Sequence, residues 1–407
     1  MSDPSLLPVA CVSVSSALGG SERVLLDFVS RARAQGVDPL VILPKAGPLV
    51  DAFKECGAPV RIAPAEPEFL ELSQRATVSA SGLAHFAWGL ARWSREIAHA
   101  LEHAEAATSR RFMLYSNGFK AHLACALVLG RRHVWHLHEF PPDSLGTAWR
   151  LLAGALPDAA IANSQSVADA WRMTRFPPPA VVLNGVDTQR FAPAPRSRWI
   201  HELLDLPRDA RLIGMPAVFA RWKGHLLVIE AFERAAAEIP DAHLVLVGGP
   251  IYDTAAERGY AEELVRRVGR ASLGGSAQAA KTARSLTDRI HFVKFQSEPW
   301  RLYPEFDLVV HFSTRAEPFG RVVVEAMACG VPVVAAHAGG PAEIVEDGVT
   351  GWLIAPGDVG ALERRMVETM RSDNSVMGAA ARRAAELRFS AERFAREVAD
   401  VLKRAAP

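Results

Sequence analysis

Short apolar strands alternate with amphipathic helices along this sequence, and the alternation starts twice. Val9 to Val14 is a β-branched run that ends at Gly19-Gly20; Leu25, Phe28, Val29 and Ala32 then recur at helical spacing before Gly36. Leu40 to Leu43 is the next strand. Strand, glycine turn, helix and strand make a βαβ unit, whose crossover must be right-handed and whose sheet must be parallel. The second half restarts the pattern with a strand at Leu212 to Met215, a helix around Leu226 to Ile239 and a strand at His243 to Val247, followed by Gly248-Gly249-Pro250. The chain is therefore α/β, built from two Rossmann-like halves.

A length of 407 residues exceeds what one hydrophobic core usually serves, which fits the double start. Hydrophobic residues make up 49% and charged residues 22%, as in a globular enzyme and unlike a disordered chain. A net charge of +1 argues against a nucleic-acid partner, which would call for a concentrated excess of Lys and Arg. Cys11, Cys56, Cys125 and Cys329 lie far apart and make no zinc or dithiol pattern, so a reducing cytoplasm fits best. The apolar stretch Leu6 to Leu18 lacks a basic leader and reads as a buried strand, not a signal peptide. No run has the roughly 20 apolar residues that span a bilayer.

Farther along, Phe86, Leu90, Trp93, Ile97 and Leu101 mark a long amphipathic helix. With Trp88, Arg92 and Arg95 nearby it has two readings, a core-facing helix or a contact with a lipid-linked acceptor or the inner face of a membrane. Arg131 to Leu137 and Ala159 to Ala162 read as strands, and Ala192 to Arg198, rich in Pro and Arg, as the interdomain linker. Between Asp253 and Asp288 the period is helical but interrupted by Ala271 to Ala280, a surface excursion. Further strands are expected at Ile290 to Val293, Leu308 to His311, Val331 to Ala335 and Trp352 to Ile354, and a last helix from about Ser390 to Arg404.

The chemistry concentrates after Leu308 to His311. That strand leads into Ser313-Thr314-Arg315-Ala316-Glu317-Pro318-Phe319-Gly320, and a helix carrying Val323, Glu325, Ala326 and Met327 follows. Open α/β sheets bind ligands at the carboxyl ends of their strands, and a glycine opening a helix lets backbone N–H groups approach an anion such as a diphosphate. Glu317 falls before the helix and Glu325 in its second turn, so the two carboxylates face different parts of one ligand. Each suits a pair of neighbouring hydroxyls, as in a ribose or hexose diol. A departing nucleotide diphosphate gains charge, and Arg221-Trp222-Lys223-Gly224, between a strand and a helix, is placed to offset it.

Gly19-Gly20 before Glu22-Arg23-Val24-Leu25, His136-Leu137-His138-Glu139, Asn184-Gly185-Val186-Asp187, Lys223-Gly224 and Glu317 through Glu325 together resemble, in order, the signposts of a retaining glycosyltransferase of family 4 (glycosyl transferases group 1). The resemblance spans nearly the whole chain. It implies the GT-B fold, two Rossmann-like domains with parallel sheets facing across a central cleft. Residues 1–190 would bind the acceptor, residues 191–385 the nucleotide sugar, and a helix in 386–407 would cross back to the first domain. The resemblance implies that Glu317 contacts donor-sugar hydroxyls, Glu325 the ribose, and the backbone of Gly320, Arg321, Val322 and Val323 the diphosphate, with Phe319 and Gly248 also in the donor site. Arg221 and Lys223 would neutralise phosphate, Gly19 and Gly20 would close on the donor phosphates and acceptor, and His138 would lie near the reacting anomeric carbon. His138, Glu317 and Lys223 are then the catalytic set. It further implies transfer with retention to a hydroxyl acceptor (a polysaccharide, lipid-linked or small-molecule glycoside), with no metal and no cofactor. The sequence has no Asp-any-Asp triplet of the kind that holds a cation in the metal-dependent glycosyltransferase fold.

One departure stands out: Ala217 and Val218 occupy the positions where the family places an Arg before the Lys. Other readings also remain open. Gly19-Gly20 fits turn chemistry as well as ligand approach, His138 fits a hydrogen-bonded strand end, and Ser164 and Asn184 fit either cleft contacts or ordinary turns. A nucleotide-sugar epimerase or a non-catalytic sugar-nucleotide binding protein would share the architecture. An NAD oxidoreductase is disfavoured, since Gly19-Gly20 lacks the spaced third glycine.

Overall fold

The computed structural model describes residues 3, 5–71, 80–141, 157–172, 176–249, 257–270, 286 and 288–406. The Ala271 to Ala280 excursion lies outside them. The chain forms two compact units, one of Met1–Gly185 with Ala391–Pro407, the other of Val186–Ser390.

In the first unit the described strands are β1 (Leu7–Ser13), β2 (Val37–Leu43), β3 (Val60–Ile62), β4 (Met113–Asn117), β5 (His133–Leu137), β6 (Ala159–Ala162) and β7 (Ala180–Val181). They make one parallel sheet in the order β3-β2-β1-β4-β5-β6-β7. Every residue of β2, β4 and β5 is buried, as expected of strands covered on both faces. On one face the helix Gly20–Ala32 buries Val24, Leu25, Phe28 and Val29, at helical spacing, beside Phe394, Val398 and Leu402 of the helix Ala391–Ala405. Truncating the fully buried Phe394 to alanine would cost about 3–5 kcal/mol. Gly36, at φ +77°, ends the first of these helical segments in a left-handed conformation that favours glycine. On the other face Trp93, Ile97, Leu101 and Ala104 of the helix Ala80–Thr108 pack inward, so this stripe is core. Trp88 of the same helix is exposed, with Arg92 over its ring.

The second unit repeats the plan with β8 (Arg211–Pro216), β9 (Ala242–Gly248), β10 (Ile290–Lys294), β11 (Leu308–His311), β12 (Val333–Ala336) and β13 (Trp352–Ile354). Its parallel order is β10-β9-β8-β11-β12-β13. Both sheets wind outward in one direction from their first strand and then restart on its other side. The direction therefore switches between β1 and β4 and between β8 and β11, which is where doubly wound sheets open a crevice. Val186 bridges to Ser390, and its N–H donates to the Phe389 carbonyl at 2.8 Å, so the segment enters and leaves this unit side by side. Residues 192–198 belong to the second unit instead of hanging between the two. The Ser197 N–H and hydroxyl donate to the buried Glu305 carboxylate at 2.8 and 2.7 Å, and Arg196 pairs with Asp307 at 2.7 Å.

Candidate active site

In the second unit the loops leaving β8 and β11 meet at the switch point, and close backbone packing holds them together. Gly224, at φ +81°, would place a Cβ only 2.1 Å from the Phe312 carbonyl oxygen, so any side chain there would force the loops apart. The Thr314 N–H donates to the Trp222 carbonyl at 2.8 Å. This contact brings Lys223, on the short turn Arg221–Lys223, against Glu317.

Glu317 is buried and receives three groups. Lys223 Nζ and Ser313 Oγ donate to Oε1, and His311 Nε2 lies 2.9 Å from the same oxygen. Burial alone would push this carboxyl up; the charges of His311 and Lys223 outweigh it and hold the carboxyl well below the usual carboxylate range. The backbone is fixed as well, since the Gly340 N–H donates to the Glu317 carbonyl at 2.8 Å. A Cβ on Gly339 or Gly340 would lie 2.2 Å from the carbonyl oxygen of Glu317 or Phe319. The Gly339-Gly340 pair is thus the backing of the loop.

Gly320, at φ +97°, turns the chain into the helix Arg321–Ala328. A helix start presents N–H groups without intrahelical acceptors, here at Arg321 and Val322; the Val323 N–H closes onto the Gly320 carbonyl at 3.0 Å. Glu325, buried in the second turn, accepts from the Tyr303 hydroxyl at 2.6 Å and from Arg321 Nε at 2.7 Å. Burial and the Glu325 charge keep the Tyr303 phenol well above its ordinary value, so it remains a donor. Arg221 turns the other way, pairing with Glu263 and covering the Tyr260 ring. Gly248 is required by packing, because a Cβ would fall 1.9 Å from the Ala217 carbonyl oxygen. Val218 is partly buried in the loop beside it.

In the first unit Gly19 caps the helix Gly20–Ala32 at φ −77°, a value open to any residue, and a Cβ on Gly20 would meet no described atom within 4 Å. Packing does not explain Gly20, which is exposed, whereas Gly19 is buried. His138 follows β5, its ring centroid 3.9 Å from that of His136, and burial lowers its pKa to about 3. It is neutral at physiological pH. Beside it Ser116 Oγ bridges His122 and His133 at 2.7 and 2.8 Å, with His122 stacked on Trp135. Ser164 is a helix cap, accepting from the Val167 N–H at 3.1 Å.

The family model for glycosyl transferases group 1 matches residues 199–385, and that for glycosyltransferase family 4 matches residues 18–190. The chain belongs to this glycosyltransferase family. A solved structure similar to it is that of Anabaena Alr3699/HepE in complex with UDP-glucose, at TM-score 0.77 and 26% identity, covering 98% of this chain and 100% of that one. Sucrose-phosphate synthase from Thermosynechococcus elongatus shares the fold at TM-score 0.72 and 19% identity, covering 98% of each chain. The two sheets, in two Rossmann-like domains, are those of the GT-B glycosyltransferases. Among curated relatives, the D-inositol 3-phosphate glycosyltransferase of Mycolicibacterium gilvum is 33% identical over 49% of this chain and 41% of that protein. The chain thus spans about two fifths of the length of the curated relatives it matches.

The structure brings together Lys223, Glu317, Phe319, Gly320, Arg321, Val322, Val323 and Glu325 around the β8–β11 switch point, and places Gly248 at the end of neighbouring β9. Gly19, Gly20 and His138 belong to the other unit. Three residues that sequence reasoning passed over complete the network around Glu317 and Glu325: His311, Ser313 and Tyr303. The signal for the first two was a histidine closing a buried strand and a serine two positions on. Tyr303 had none, since it reaches Glu325 from a distant turn. Among the described residues no group of three or more His, Cys, Asp or Glu side chains is placed to hold a metal ion. Nor is any described helix long and apolar enough to cross a membrane.

Proposed function

We propose that this chain transfers a hexosyl group from a nucleotide diphosphate sugar to a hydroxyl acceptor, with retention of anomeric configuration and without a metal ion. The observation that carries the reading is the buried Glu317 carboxylate, held ionised at the switch point directly before a glycine-opened helix. A diphosphate is suited to the helix start, sugar hydroxyls to Glu317 and ribose hydroxyls to Glu325. The likeness to a structure holding UDP-glucose supports a sugar nucleotide as donor.

In the first domain Gly20, unexplained by packing, and Gly19 beside it are suited to the approach of donor phosphates and acceptor. His138, being uncharged, would contribute shape and hydrogen bonding near the anomeric carbon instead of positive charge. No nucleophile is needed if a donor phosphate oxygen takes the acceptor proton while the sugar is delivered to the same face. Residues 1–190, 191–385 and 386–407 are proposed as the acceptor domain, the donor domain and the returning helix. Four unpaired cysteines suit a cytoplasmic protein, and the exposed Trp88 with Arg92 suits peripheral membrane contact. The test is turnover of a panel of UDP-, GDP-, ADP- and TDP-sugars with alcohol acceptors. Release of nucleotide diphosphate with the sugar on the acceptor is expected, and Glu317→Ala should abolish it; binding without turnover across the panel would overturn the reading.

A further inference from the structure

We infer that His311 is a positioning residue for donor-sugar recognition, orienting Glu317 so that Oε2 faces the sugar hydroxyls. The inference rests on the proposed role of Glu317. Among the described residues, the groups that reach the carboxylate all fall on Oε1: Lys223 Nζ, Ser313 Oγ and, at 2.9 Å, His311 Nε2. A carboxylate has about four lone-pair positions shared over two oxygens. Donors that served only to satisfy a buried charge would spread over both oxygens, and two on Oε1 already fill its lone pairs. A third group on the same oxygen instead fixes the torsion of the carboxylate, and with it the direction of Oε2.

The three groups differ in how firmly they are held. Lys223 lies on a short turn, and Ser313 on the loop that would contact ligand. His311 closes β11, between β8 and β12, in register with Ala335 and buried. It is the one group of the three carried by the sheet, so it transmits a rigid reference to a side chain on a loop. His311 Nε2 lies 2.9 Å from Oε1 and has no other partner among the described residues, so the ring faces the carboxylate alone.

The probes are the nucleotide sugar turned over in the panel above and its free nucleoside diphosphate, each titrated by calorimetry into the wild type, His311→Leu, His311→Gln and Glu317→Gln. A positioning role predicts that His311→Leu weakens the nucleotide sugar about tenfold while the free diphosphate, which offers no hexose hydroxyl, changes less than about threefold. His311→Gln, which keeps an N–H but not the ring, should fall between; it carries the test if the leucine variant does not fold. In the Glu317→Gln background His311→Leu should add little, the coupling expected of two residues acting as one. Equal losses on both ligands, or none on the sugar nucleotide, would overturn the inference. If Glu317→Gln itself spares the nucleotide sugar, the role proposed for Glu317 fails first; if it weakens binding and His311→Leu does not, His311 alone is at fault.

Discussion

Lys223 and Arg221 stand two positions apart on one short turn and face opposite ways, Lys223 onto buried Glu317 and Arg221 onto Glu263 at the surface. The difference in burial separates their expected weights. An exposed pair such as Arg221–Glu263 contributes about 0–1 kcal/mol, whereas removing one partner of a buried pair costs about 3–5 kcal/mol.

Lys223→Ala should therefore lower the rate by roughly tenfold to a thousandfold, about 1.4 to 4 kcal/mol of barrier. Arg221→Ala should cost less. Steady-state kinetics on the donor found in the panel would decide, and a wild-type rate for Lys223→Ala would remove Lys223 from the mechanism.

The two glycine classes should separate stability from activity. Gly224→Ala and Gly248→Ala, which drive a Cβ into backbone carbonyls, should each destabilise the second unit by about 2 kcal/mol or more in urea unfolding. Gly20→Ala sits in open space on a helix, so it should leave stability unchanged or raise it by several tenths of a kcal/mol. Donor turnover should nevertheless fall; full activity in Gly20→Ala would exclude that glycine from the site.

Stability of the first unit should decline below neutrality. Burial lowers His133 and His138 to about 3, and shifts His122 and His136 downward as well. In the unfolded chain these side chains take up protons below about 6.5, so the unfolded state binds more protons there and stability falls as pH drops from about 6.5 toward 3. Each histidine contributes a slope of at most about 1.4 kcal/mol per pH unit. In the second unit Glu317 acts lower, its contribution present above the ordinary carboxylate range and lost as pH falls toward its depressed value. Urea midpoints at pH 7 and pH 5 check this; equal midpoints would contradict it.

Turnover should persist in excess chelator, since phosphate charge is met by Lys223 and helix N–H groups in the proposed mechanism. Activity that vanishes with chelator and returns with a divalent cation would refute the metal-free reading.

Much of the fold could be read because strands buried on both faces are short, apolar and bounded by turns. Leu308–His311, Ala159–Ala162 and Trp352–Ile354 coincide with the expected runs. Met113–Asn117 was not legible, although it lies at the centre of its sheet. Its polar half is satisfied only in three dimensions, with Tyr115 bonded to His136 and Ser116 to His122 and His133. The Pro- and Arg-rich segment 192–198 looked like a linker because its partners, Glu305 and Asp307, are more than a hundred positions away. At the site, Glu317, Gly320 and Glu325 were visible from local spacing on one loop and helix. The convergence of His311, Ser313 and Lys223 on one oxygen was not, since it depends on how two loops cross at Gly224.

The first unit is completed by a helix that is synthesised after the whole of the second. Until the whole of Val186–Ser390 has been made, the apolar face that will receive Phe394, Val398 and Leu402 has no cover. At roughly 5–20 residues per second that delay is on the order of 10 to 40 s. The second unit, continuous in sequence, can close during this time while the earlier one waits on the ribosome with sticky surface showing. The order in which the two units can be completed is thereby the reverse of the order in which they are begun.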